Sequence, residues 1–291
     1  MDYQRERIDT PDGDSLSLDW ARTGSQRLAI LAHGLEGDSR RHYIQGMVHA
    51  LTRRNWDAVA WNARGCGGEP NRVLRFTHSG ATEDLNTVIS HVVSSAGYTQ
   101  IALIGFSLGG NLILKYLGER GCEVDPRIEA AVAFSVPCDL QASSIQLGRT
   151  VNRIYMRHFL ASLHQKIQSL IKLMPGKIDD VDYKQIRTFK QFDDHYTAPI
   201  HGFKDAEDYW RKSSCRPFLP QIHIPTLLVN ARNDPFLAEA CYPIEEAKAN
   251  ANLYLEMPAS GGHVGFMDFN SRKEYWSERR AVEFLQTQSG A

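Results

Sequence analysis

The 291-residue sequence contains no Cys-x-x-Cys pair, and its five cysteines, Cys66, Cys122, Cys138, Cys215 and Cys241, are odd in number and widely spaced. That spacing excludes a disulfide framework and a cysteine-built zinc site, and a reducing, cytoplasmic compartment is expected. Charge of one sign is also missing, with 33 Lys and Arg against 34 Asp and Glu for a formal net charge of -1. A chain so balanced has no global electrostatic reason to bind nucleic acid, which leaves a small molecule as the expected partner. No uninterrupted apolar stretch reaches the roughly 18 residues that a membrane span needs. The segment from Met1 to Arg7 is polar and unlike a signal sequence. Internal repeats and low-complexity tracts are absent as well.

What is present is a hydrophobic content of 42%, enough to bury a large core in one α/β domain that carries an insertion. A monomer is the favoured state. Residues Arg7 to Arg22 alternate apolar and polar around Pro11-Asp12-Gly13-Asp14, which predicts an N-terminal β-hairpin. The runs Leu28 to Ala32, Ala58 to Trp61, Ile101 to Ile104, Ala130 to Phe134 and Thr226 to Asn230 are continuously apolar or nearly so. They fit strands of a mostly parallel sheet buried on both faces, with a last strand at Leu253 to Glu256. Between them, Tyr43 to Arg54 predicts a crossover helix. Leu85, Val88, Ile89, Val92 and Val93 predict another by their i, i+3, i+4, i+7, i+8 spacing, and a closing helix is expected from about Arg272 to Gln286. The alternation of strand and helix argues for a doubly wound sheet.

The distance from Val136 to Ile224 is too long for one crossover. We therefore expect a core of residues 1–137 and 216–291 and an inserted, mainly helical cap of residues 138–215. From Leu140 to Ile178 the insertion lacks Asp and Glu but carries Arg149, Arg153, Arg157, Lys166, Lys172 and Lys177. Leu160, Leu163, Ile167, Leu170, Ile171 and Met174 recur there at helical spacing, which makes a basic amphipathic helix. Its basic face is either solvated and balanced by Asp179, Asp180 and Asp182, or it makes transient contact with an anionic membrane surface.

The chemistry centres on Gly105-Phe106-Ser107-Leu108-Gly109-Gly110, which lies between an apolar strand and a helical pattern. Strand, Gly-x-Ser-x-Gly and helix describe a nucleophile elbow, with Ser107 on a turn too tight for side chains at the flanking positions. A serine nucleophile needs a base, a group to orient the base, and donors for the developing oxyanion. His263, in Gly261-Gly262-His263-Val264-Gly265-Phe266 after the last strand, is the candidate base. Asp234, in Asn233-Asp234-Pro235-Phe236, is the candidate acid, and the order Ser, Asp, His is that of α/β-hydrolases. Asp139, also just beyond a strand, is the rival acid. The backbone N–H groups of Leu108 and of Leu35, in His33-Gly34-Leu35-Glu36-Gly37, are the candidate oxyanion donors, and His33 is expected to brace its loop. Asp193-Asp194-His195 lacks a second ligand motif, so it is assigned to hydrogen bonding at the surface or within the cap, and no metal or cofactor is expected. Cys66 has no base beside it and is expected to be a small buried thiol.

These motifs, together with Arg64-Gly65-Cys66-Gly67-Gly68-Glu69-Pro70-Asn71-Arg72, His78-Ser79-Gly80 and His201-Gly202-Phe203, resemble the YheT-like branch of the α/β-hydrolases. The resemblance covers the chain from about residue 25 to 285. It implies a catalytic triad of Ser107, Asp234 and His263, which disfavours Asp139. It also implies carboxylic ester hydrolysis, on short acyl esters in bacterial members and on lipids in eukaryotic relatives. The expected function is thus a serine hydrolase that cleaves short to medium, or lipid-derived, esters through an acyl-enzyme on Ser107. The alternatives are an acyltransferase using the same acyl-enzyme and a non-catalytic ligand-binding module on a hydrolase scaffold.

Overall fold

The computed structural model describes residues 1–68, 71–95, 97–271 and 274–288. Eight strands form one sheet: β1 (Gln4–Asp9), β2 (Ser15–Ala21), β3 (Arg27–Ala32), β4 (Asp57–Asn62), β5 (Gln100–Phe106), β6 (Ile128–Phe134), β7 (Thr226–Val229) and β8 (Leu253–Glu256). Their order is β1-β2-β4-β3-β5-β6-β7-β8. The predicted hairpin pairs β1 with β2, and β2 joins β4, both antiparallel. All other pairs are parallel.

The ten α-helices among the described residues are α1 (His42–Thr52), α2 (Thr82–Ser94), α3 (Leu108–Arg120), α4 (Leu140–Leu147), α5 (Arg153–Leu173), α6 (Phe189–Phe192), α7 (Ala198–His201), α8 (Ala206–Ser213), α9 (Ile244–Ala249) and α10 (Trp276–Gln288). The expected start of the last one at Arg272 lies outside the described residues. So do Glu69 and Pro70 of the glycine-rich block.

Side chains alternate across a strand, so neighbouring apolar residues serve opposite faces of the sheet. Leu28, Ile30, Val59, Trp61, Ile101 and Leu103 pack with α2 and α3. Ala29, Leu31, Ala58, Ala60, Ala102 and Ile104 pack with α1 and α10. This two-sided burial is why the strands read as unbroken apolar runs. On α2, Leu85, Val88, Ile89 and Val92 are buried as their spacing predicts, each worth about 1.5–3 kcal/mol of transfer free energy.

Arg64, after β4, is buried and ties three parts of the fold together. Its Nε and Nη2 donate to the two oxygens of Asp84 at 2.7 and 2.8 Å. Its Nη1 reaches Asp14 at 3.2 Å and its Nη2 reaches Asp12 at 3.0 Å, both in the hairpin turn.

Between β6 and β7 the chain leaves the sheet to build α4 to α8. The two ends of this segment are pinned together where Arg216 N donates to Cys138 O (3.1 Å) and Leu140 N to Ser214 Oγ (3.0 Å). Leu160, Leu163, Ile167 and Leu170 of α5 form a cluster of their own with Phe76, Phe192, Tyr196 and Phe236, set against Leu35. One expectation fails here: Lys166 does not belong to a solvated basic face. It lies three residues after Leu163 and four before Leu170, on the apolar stripe, and its side chain is 5% exposed. The ammonium meets Glu36 at 2.6 Å, with Arg64 O and Cys66 Sγ both at 3.4 Å. A lysine can be buried here because a carboxylate is buried with it.

Candidate active site

The winding of the sheet reverses between β3 and β5, and side chains at the carboxyl ends of these central strands face a common crevice. Ser107 follows the last residue of β5 with φ 53° and ψ -116°, a strained conformation for a residue with a Cβ. The turn closes only around glycine: a Cβ on Gly105 would lie 2.6 Å from Gly109 O, and one on Gly109 would lie 2.4 Å from Ala32 O.

His263 stands over this turn. Its Nε2 is 3.0 Å from Ser107 Oγ and its Nδ1 is 2.9 Å from Asp234 Oδ2. With Asp234 accepting, the proton sits on Nδ1 and Nε2 is free to accept from the serine hydroxyl. The Asp234 carboxylate is fully buried, and its other oxygen accepts from Phe236 N (2.9 Å). Asn233 Oδ1 accepts from the N–H groups of Gly261 (3.0 Å) and Gly262 (2.9 Å), which fastens the histidine loop to the aspartate loop. Ser135 Oγ accepts from Val264 N on the far side of the histidine (3.0 Å). The Phe236 ring lies against the imidazole, with centroids 4.3 Å apart. The structure therefore brings together Ser107, Asp234 and His263, as their order in the sequence predicts. Asp139 is elsewhere, capping α4 by accepting from Ala142 N.

Leu35 and Leu108 both border the same crevice. Leu108 is the first residue of α3, so its N–H has no intrahelical acceptor. Among the described residues neither amide meets a protein acceptor. The neighbouring Gly34 N–H is already spent on Tyr43 Oη (3.1 Å). His33 braces the loop as expected: Nε2 accepts from Ala63 N (3.1 Å), which puts the proton on Nδ1 for donation to Gly34 O (2.7 Å). Cys66 is buried, and burial pushes its thiol up to about 11, against any role as a thiolate.

Sequence reasoning missed Asn233 and Phe236 as supports of the histidine, because their partners lie far along the chain. It also missed that Asp193 faces the crevice. Asp193 belongs to a π-helical turn, Asp193–Thr197, and accepts from Thr197 Oγ1 (2.6 Å) and Trp210 Nε1 (2.8 Å). Asp194 pairs with Lys190. Hydrogen bonding within the segment is thus what this acidic pair does, and no group of His, Cys, Asp and Glu suited to a metal occurs among the described residues.

The crevice is mainly apolar, bordered by Phe76, Leu140, Leu147, Phe159, Leu163, Phe189, Phe192 and Phe236, with Thr77, His78, Ser79, Ser143, Ser144 and Thr197 among its polar edges, and spans about 800 Å³ of space that is in part open to solvent. Burial holds His33 down to about 4 and His201 to about 3. His78 is lowered in the same way. These three take up protons near pH 6.5 only in the unfolded chain, which makes acid destabilising. Burial raises Asp193 and Glu278 to about 7, so these two hold protons in the folded chain and oppose the effect. With three groups against two, the melting temperature should fall between pH 6.5 and pH 4.5; a rise over that window in a thermal melt would contradict the neutral histidines.

Residues 30–269 match the α/β hydrolase fold family. The Escherichia coli protein YheT is 36% identical over 97% of this chain and 84% of its own length. Human phospholipase ABHD3 is 31% identical over 98% of this chain and 72% of its own length. Among solved structures, the esterase Pf2001 of Pyrococcus furiosus superposes with a TM-score of 0.65 at 20% identity, covering 98% of this chain and 92% of that one. No helix among the described residues is long and apolar enough to cross a membrane. From the family match over most of its length and relatives aligned nearly end to end, the chain belongs to the α/β hydrolase fold family.

Proposed function

We propose that this protein is a carboxylic ester hydrolase working through an acyl-enzyme on Ser107, with short to medium or lipid-derived esters as its substrates. The unbroken hydrogen-bonded line from Ser107 Oγ through His263 to the buried carboxylate of Asp234 carries this assignment. Esterase and phospholipase names among its relatives point the same way.

In the first step His263 Nε2 takes the hydroxyl proton as Ser107 Oγ attacks the ester carbonyl. The Leu35 and Leu108 amides receive the oxyanion; losing such a donor typically costs about 3 kcal/mol of barrier. His263 then protonates the leaving alcohol, and a water activated by the same imidazole releases the acid. Asp234 stays ionised throughout, holding the tautomer. Every proton and charge is handled by side chains and amides of this chain, so the chemistry calls for no metal or cofactor.

Residues 138–215 act as the cap over a core of residues 1–137 and 216–291, a division supported by the pinned neck at Cys138 and Arg216. The five free cysteines favour a reducing cytoplasm, and a monomer holds every residue the reaction needs. A fluorophosphonate should form one adduct per chain, on the peptide that contains Ser107. An intact protein mass that stays unchanged after reaction would overturn the assignment.

A further inference from the structure

Beyond the crevice, the first turns of the inserted segment carry a surface that the fold leaves uncovered. Val151, Ile154 and Ile145 are 79%, 78% and 63% exposed, and Tyr155 is 48% exposed. Ile154 and Tyr155 open α5, and Val151 lies in the short 3-10 turn, Thr150–Asn152, that leads into it, so the three exposed side chains cluster at the start of that helix. Scattered exposed apolar residues need no explanation; a stripe of them does.

Three arginines flank this stripe. Arg149, Arg153 and Arg157 are exposed, and among the described residues none has an ion-pair partner. Arg153 and Arg157 are an i, i+4 like-charge pair, which costs helix stability. Arg153 is also the first residue of α5, where no acidic residue stands in the first turn and the helix dipole is itself positive. The carboxylates that follow α5 in sequence, Asp179, Asp180 and Asp182, lie beyond its other end, where Asp180 pairs with His164 at 2.8 Å. Unrelieved positive charge around exposed aliphatic groups complements a surface that offers negative charge over an apolar interior.

The stripe is continuous with the crevice. Asn152 Nδ2 donates to Pro235 O (2.7 Å), tying the start of α5 to the residue after Asp234. The Tyr155 ring meets Phe236 at 4.9 Å, and Phe236 meets His263 at 4.3 Å. Within α4, Ile145 is exposed while Ser144 and Leu147 border the crevice.

From this we infer that the α4–α5 corner docks on an anionic phospholipid surface, with Ile145, Val151, Ile154 and Tyr155 entering the head-group layer and the three arginines meeting lipid phosphates. The inference rests on the proposed hydrolase function only for its purpose, delivery of an interfacial ester to the crevice. The docking itself is independent of catalysis.

The test is co-sedimentation of the full chain with vesicles of phosphatidylcholine alone or mixed with phosphatidylglycerol, at low and at high salt. Wild type should bind the mixed vesicles, and high salt should weaken binding. Arg149→Gln/Arg153→Gln/Arg157→Gln should bind roughly a hundredfold more weakly, about fivefold for each arginine. Val151→Asp/Ile154→Asp should lose binding as well. Both variants should keep wild-type turnover of the dissolved ester p-nitrophenyl butyrate, which shows that they fold. The Ser107→Ala protein should bind vesicles as wild type does, so a failed hydrolase assignment leaves the docking measurable. No binding to mixed vesicles at low salt, or equal binding by the triple variant, would overturn the inference. A dimer that the Val151→Asp/Ile154→Asp change dissolves, without vesicle binding, would assign the surface to a second copy of the chain and overturn it too.

Discussion

Replacement of Ser107 by Ala is expected to lower kcat for p-nitrophenyl butyrate by roughly five to six orders of magnitude, the scale on which serine hydrolases lose turnover with their nucleophile. The residue contributes one side-chain hydrogen bond, to His263, and the imidazole stays fixed by Asp234 without it. The strain at Ser107 belongs to its backbone, at φ 53°, and an alanine there bears it equally. The melting temperature should consequently move by about 2 °C or less. Loss of turnover with an unchanged melt separates removal of a nucleophile from damage to the fold. Undiminished turnover would mean that Ser107 is not the attacking group, however well it is placed.

The second large effect concerns stability. Arg64→Met should cost about 3–5 kcal/mol, because the change leaves Asp84 and Asp14 buried without their cation. In a domain of this size that is a fall on the order of 10 °C in the thermal melt. Removing the stranded charge along with the arginine, in Arg64→Met/Asp84→Leu, should restore part of the loss, since the penalty lies in the uncompensated carboxylate more than in the missing bonds. A single variant that melts within about 2 °C of wild type would show that solvent reaches Asp84 and that the network is dispensable.

The elbow around Ser107 and the central strands could be read before the fold was known, and for a shared physical reason, whereas the buried role of Arg64 could not. A turn as tight as the one at Ser107 admits only glycine around it, and strands buried on both faces must be apolar at every position. Local constraints of this kind leave marks in a short window of sequence. The order of Ser107, Asp234 and His263, after β5, β7 and β8, was legible because the ends of parallel strands in such a sheet share one edge.

Contacts between distant loops leave no such mark. Nothing around Asn233 announces that its side chain will hold Gly261 and Gly262, and nothing around Phe236 announces the imidazole it packs on. Lys166 was misplaced for a different reason. Charge outweighed spacing in assigning it to a wet surface, although its three- and four-residue offsets from Leu163 and Leu170 put it on the buried stripe. Asp193 was placed within the segment, but its burial, which raises its pKa against the hydrogen bonds donated by Trp210 and Thr197, depends on packing that no short window of sequence records.

The pair formed by Lys166 and Glu36 sets a condition on how this protein can be rebuilt. Glu36 follows Leu35 directly and holds a left-handed backbone at φ 53°, with its carbonyl bound by Arg41 (2.9 Å) and its carboxylate by a lysine on α5. The insertion is therefore no interchangeable cassette. A chimera that grafts a foreign lid between Cys138 and Arg216 would inherit an orphaned carboxylate beneath the loop that presents Leu35. Shuffling of lids among relatives would succeed only where the residue at position 36 travels with the graft.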